Sequence, residues 1–108
     1  MGSRYIINHD IMELPNKVSG SDFVMKLDRD YRVRVFNDTL VTIQYNYTVF
    51  YNVTALQEGI SLYTFPKTQF TTDLATLAAT PLTSIIETHI TTTYNNYTEV
   101  DSSGNAIV

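Results

Sequence analysis

Histidine sets the limit on acid–base and metal chemistry in this chain, because only His9 and His89 are present. His9 is followed by Asp10, and Glu87-x-His89 puts a carboxylate and an imidazole on one face if that stretch is a strand. A metal centre or a general acid–base pair needs several such groups converging, with Asp10, Glu87 and Glu99 the nearest candidates. Cysteine is absent, which excludes thiolate ligands, a Cys nucleophile and a disulfide framework. Ser19-Gly20-Ser21 lacks the flanks of a G-x-S-x-G elbow and of a phosphate-binding loop, so it reads as a flexible loop. The residues therefore predict no catalytic site, no metal and no cofactor. A small enzyme built on Glu87 and His89 is the least favoured alternative.

Charge is the next filter. With 7 basic and 11 acidic side chains the net charge is −4, the wrong sign for a general phosphate-backbone binder. The first 34 residues hold six basic and five acidic groups, whereas from Val35 onward Lys67 faces six acidic ones. A mildly basic head and an acidic body of this kind read first as ordinary surface scatter, with attraction between copies of the chain as the alternative. Arg29, Arg32 and Arg34 surround Tyr31, but the alternation puts Arg32 and Arg34 opposite Tyr31, Val33 and Val35. Single-strand binders need cations and stacking rings on one surface, so a solvated β face or an inter-subunit salt-bridge patch is the better reading. No direct nucleic-acid partner is expected.

Tyr45, Tyr47 and Tyr51 share one face of a long alternating segment, with Phe50 the one apolar residue on the other face. Tyr is enriched at interfaces and equally at home in cores where its hydroxyl finds a partner. The opposite ladder of Thr42, Gln44, Asn46, Thr48 and Asn52 is uncharged and poorly defended against pairing. The candidate interface is therefore Arg29, Arg32, Arg34, Tyr45, Tyr47, Phe50 and Tyr51. Asn-x-Thr sequons occur at Asn37, Asn46, Asn52 and Asn96, but Met1 to Asp10 has no secretory pattern, so they read as a by-product of composition.

The elements that position these residues follow from period and punctuation. Strands are expected at Arg4 to Asn8, Phe23 to Leu27 and Tyr31 to Val35, with a loop or arm over 10–22. Within the segment Thr39 to Thr54 the odd positions from Val41 run Val, Ile, Tyr, Tyr, Val, Tyr, Val, a period of two broken from there on only by Phe50. Gln57-Glu58-Gly59 turns that strand into a return over Ile60 to Phe65, ended by Pro66, giving a long hairpin over 39–65. Leu74, Leu77 and Ala78 carry a helical phase capped by Thr72, and Leu82, Ile85 and Ile86 extend it, so one short helix is expected over 72–86. The β-branched run from Thr88 to Thr93 predicts a strand from Glu87 to Tyr94, and the remaining C-terminal strands lie within 87–108.

The 108 residues make one domain, 44% apolar and rich in Thr and Tyr while poor in Lys and Ala. No apolar run exceeds three residues, so no membrane span is expected. The fold class is mainly β: a small antiparallel β-sandwich or barrel with a long β-hairpin and one short peripheral helix. The Thr-rich, Lys-poor body and its Asp101-Ser102-Ser103-Gly104-Asn105 ending resemble small phage capsid, neck and tail proteins. That resemblance implies a non-catalytic assembly protein located in a virion, or in the cytoplasm during assembly. Its partners would be copies of itself and other virion proteins. The alternative is a carbohydrate- or peptide-binding β-sandwich that uses Tyr45, Tyr47 and Tyr51.

Overall fold

In the computed structural model, which describes residues 5–28 and 30–107, the alternating segment becomes the central strand of an antiparallel sheet. In chain order the elements are β1 (Tyr5–Asn8), β2 (Met12–Glu13), β3 (Ser19–Gly20), β4 (Phe23–Leu27), β5 (Arg32–Val35) and β6 (Leu40–Phe50). There follow α1 (Val53–Glu58), β7 (Tyr63–Asp73), α2 (Leu74–Ala79), α3 (Leu82–Thr93) and β8 (Tyr97–Val100). The main sheet runs β5-β6-β4-β1-β8, with β7 on the other side of β6, and β2 and β3 form a separate ribbon inside the expected 10–22 arm. The mainly β, antiparallel fold is as the sequence predicts.

Both β4 and β5 pair with the same edge of β6, since Met25 faces Val49 and Val33 faces Ile43 while β7 occupies the opposite edge throughout. They share that edge as one interrupted strand, and the in–out alternation is kept because the register between Leu27↔Tyr47 and Arg32↔Gln44 shifts by an even number of residues. Odd positions of β6 point inward. Ile43, Tyr45, Tyr47 and Val49 join Ile6, Leu14, Phe23 and Met25 from the neighbouring segments, and Ile85, Ile86 and Ile90 of α3 cover them. Burial of this set from water is the main stabilising term.

The chain departs from expectation at four places. β6 ends at Phe50, where the Asn52 side chain accepts a hydrogen bond from the Ala55 backbone N–H at 2.8 Å and starts α1, so Val53 and Thr54 are helical. Gly59 closes that helix with φ of 74°, a left-handed position open to glycine at little cost. Pro66 does not end the return strand. β7 runs on to Asp73 through a bulge, where Pro66 and Lys67 together oppose Asn46. Pro66 lacks an N–H to lose there, and the Asn46 side-chain Oδ1 accepts the Lys67 N–H at 2.8 Å.

The expected helix over 72–86 divides into α2 and α3 at Thr80 and Pro81, and the expected strand from Glu87 to Tyr94 is the second half of α3. Leu82, Ile85, Ile86, His89 and Ile90 fall on one helical face, and burying that face outweighs the weak helix preference of the threonines. Their hydroxyls bond back to the preceding turn, Thr88 to the Ser84 carbonyl at 2.9 Å and Thr92 to the Thr88 carbonyl at 2.7 Å. The described residues thus hold three helices rather than the single short one expected.

Candidate functional site

Tyr45, at the middle of β6, is 1% exposed, so its hydroxyl must find a partner inside. It meets His89 Nδ1 of α3 at 2.7 Å, and the His89 ring stacks on Phe70 of β7 with centroids 4.1 Å apart and planes at 7°. The geometry fixes the protons. If Nδ1 donated, the buried phenol would need a second acceptor for its own hydrogen. Tyr45 therefore donates to Nδ1, and His89 carries its proton on Nε2. Burial pushes the Tyr45 phenol up to about 12 and lowers the His89 pKa, so the pair is neutral at pH 7. One turn along, the Tyr47 and Tyr94 hydroxyls bond each other at 2.7 Å, and Phe65 stacks on Tyr47 at 4.8 Å. Burial raises the Tyr47 pKa as well.

The His89 imidazole also borders a hollow of about 360 Å³ between β7, α2 and α3. Phe70 and Thr72 of β7 form its floor, and Thr76 and Thr80 form one wall at α2. Ile85, Thr88 and Thr92 of α3 form the other wall, and among the described residues no charged side chain lines it.

A second arrangement joins distant segments at the surface. His9 Nδ1 meets Asp22 Oδ1 at 2.8 Å and His9 Nε2 meets Thr98 Oγ1 at 2.7 Å. A carboxylate only accepts, so Nδ1 carries the hydrogen and, in the neutral ring, the Thr98 hydroxyl donates to Nε2. The order carboxylate–imidazole–hydroxyl is that of hydrolytic triads. Here both His9 and Asp22 lie open to water, with side chains 37% and 64% exposed, and the three groups tie β1, the 20–22 turn and β8 together. Asp10, the expected neighbour of His9, instead accepts from Asn96 Nδ2 at 3.0 Å. Glu87 and His89 do not share a face either, because two residues on a helix are about 200° apart.

The third feature is an edge. All four side chains of β5 are exposed, and on its outer side β5 has no neighbour among the described residues. Val33 and Val35 lie in the apolar rows that run Phe70–Ile43–Val33 and Thr72–Val41–Val35 across three strands. Yet Val35 is 69% exposed and the adjoining Phe36 68%, while Val41 and Ile43 are fully covered. Arg32 and Arg34 stand on the other face, opposite Gln44 and Thr42.

The structure therefore divides the candidate interface. Arg32, Arg34 and Tyr51 are exposed, and Arg29 lies outside the described residues. Tyr45, Tyr47 and Phe50 are 1%, 5% and 6% exposed, so they are core residues and have no surface to offer a neighbouring molecule. The same burial removes two of the three rings from a Tyr45, Tyr47 and Tyr51 binding platform. Sequence reasoning missed Phe36 and the Tyr45–His89 contact. Phe36 was legible as an unpaired aromatic beside a turn, whereas the contact joins residues 44 positions apart.

The sequon asparagines have internal work. Asn37 Oδ1 accepts from the Thr39 and Leu40 backbone, Asn46 holds the bulge, Asn52 caps α1, and Asn96 donates to Asp10. Compared with family models, curated proteins and solved structures, the chain matches none.

Proposed function

We propose that the protein is a non-catalytic structural subunit that assembles with copies of itself, as the small virion components it resembles do (head decoration, neck or connector, tail). One observation carries this reading: among the described residues β5 is a free sheet edge with every side chain exposed. Such an edge offers unpaired N–H and C=O groups to any strand that docks on it. Val33, Val35 and Phe36 add apolar surface that a docking partner would remove from water.

The arginines select the partner. Two β5 edges related by a twofold axis would bring Arg32 and Arg34 of both copies together, and like charges across a strand pair repel. The chain carries a better complement in β7, whose outer edge is also free among the described residues. Its residues on the Arg32 and Arg34 face are Gln69, Thr71 and Asp73, which are neutral or acidic. Joining β5 of one copy to β7 of the next is a heterologous contact, which closes into a ring or runs on as a filament. Placement in a virion, beside other virion proteins, belongs to the same proposal and rests on composition.

Light scattering at low and high salt tests it. The expected result is a mass several times 12.3 kDa that falls as salt screens the Arg–Asp complement. Val35→Glu, at an exposed site, should leave the fold intact and return a monomer. A 12.3 kDa species at every concentration and salt, indistinguishable from that variant, overturns the reading.

A further inference from the structure

We infer that the hollow beside His89 is a binding site for a small uncharged molecule with a flat apolar body and one hydrogen-bond acceptor, of the aryl amide or aryl ketone class. The inference stands independently of assembly, because β5 contributes nothing to the hollow.

Size comes first. A volume of about 360 Å³ lies at the lower end of small-molecule sites, and the floor is the apolar surface of Phe70 flanked by threonines. Polarity is the second constraint. The Thr88 and Thr92 hydroxyls are spent on carbonyls of their own helix, at 2.9 and 2.7 Å, which leaves mainly their methyls to face a ligand. His89 is different. Phe70 covers one face of its ring and the Tyr45 hydroxyl donates to Nδ1, which leaves Nε2–H as the one ring donor. A ring donor held in one tautomer, in a lining that otherwise offers Phe70, Ile85 and uncharged threonines, selects an acceptor at that point and a mainly apolar group elsewhere.

The absence of charge in the lining completes the specification. A carboxylate or ammonium entering the hollow would lose part of its water shell without gaining an opposite charge from the lining, which disfavours it. Both neighbours of His89 are preorganised: Phe70 is held by its register with Ile43, and Tyr45 by its place inside the core. The donor is therefore in position before a ligand arrives, which lowers the ordering cost of binding.

The test uses benzamide as the neutral probe and benzoate as its charged isostere, followed by NMR of the full chain at pH 7. Benzamide should give saturable shifts at His89 Nε2 and at the Thr76 and Thr88 methyls, with benzoate at least about tenfold weaker. His89→Phe keeps a flat ring on Phe70 but removes the donor, and should weaken benzamide about tenfold. Thr76→Leu, on the exposed wall of α2, should fill the hollow and abolish the shifts with the remaining spectrum unchanged. Overturning results are no saturable shift at these residues, equal affinity for benzoate, or shifts that survive Thr76→Leu. If His89→Phe alone fails to fold, the benzoate comparison and Thr76→Leu still decide the question.

Discussion

His89 and Tyr45 illustrate how one side chain settles another. The phenol is buried and needs an acceptor, the imidazole supplies it, and the tautomer follows. The lowered His89 pKa has a consequence for stability. Its ordinary value is about 6.5, and the unfolded chain binds the proton more readily than the folded one. Stability should therefore fall as pH drops below about 6.5, and level off once His89 titrates in the folded protein. His89→Gln should flatten that part of the profile in urea unfolding measured from neutral to mildly acid pH. Tyr47→Phe removes the hydrogen bond to Tyr94 and keeps the ring stacked on Phe65, so it should cost about 1 kcal/mol in the same assay. A loss well above that would mean the hydroxyl pair organises more than itself. Neither pair was legible in the sequence, which placed the tyrosines on one face without saying what lay across from them.

At the scale of elements, the bulge in β7 explains a pattern that period two alone does not. Phe65 and Phe70 are five residues apart, so a regular strand sends them to opposite faces. The extra residue at Pro66 and Lys67 flips the register, and both rings face the core, opposite Tyr47 and Ile43. Lys67 takes the left-handed conformation, φ 55°, which costs a non-glycine residue about 1 kcal/mol. Lys67→Gly should recover a similar amount in thermal unfolding. Deleting Lys67 should prevent folding, because a one-residue slip sends Tyr63 and Phe65 outward. The α3 helix makes the complementary point. Its β-branched run reads locally as strand, and only the alignment of Ile85, Ile86 and Ile90 over β6 makes it a helix. Thr92→Ala should stabilise by up to about 0.5 kcal/mol, since Ala is the better helix former and the lost bond is local. Destabilisation instead would assign the Thr92 hydroxyl a role beyond its own helix.

The whole molecule measures 44 × 32 × 23 Å, with a radius of gyration of 14.5 Å. A compact domain of this length has a radius of about 13 Å. Val33, Val35 and Phe36 are apolar side chains left exposed on its surface. At this scale the expectation is that Val35→Glu changes mass in solution while leaving the unfolding midpoint within about 0.5 kcal/mol of the parent, as exposed substitutions do. A large loss of stability would mean that Val35 packs within its own chain.

The sequence by itself determined what depends on neighbours along the chain. Alternation from Val41 to Val49 made β6, Asn37 and Gly59 made turns, and the lack of Cys excluded thiolate chemistry. Tertiary structure decided what depends on distant partners. It made the Thr-rich segment a helix, carried β7 past Pro66, put Tyr45, Tyr47 and Phe50 in the core, and left β5 exposed. The physical reason is that local preferences are worth tenths of a kcal/mol per residue, while burying one large apolar side chain is worth about 1.5–3 kcal/mol. Where the two agree the pattern can be read directly. Where they conflict, the partner across the core wins, and that partner is visible only in three dimensions.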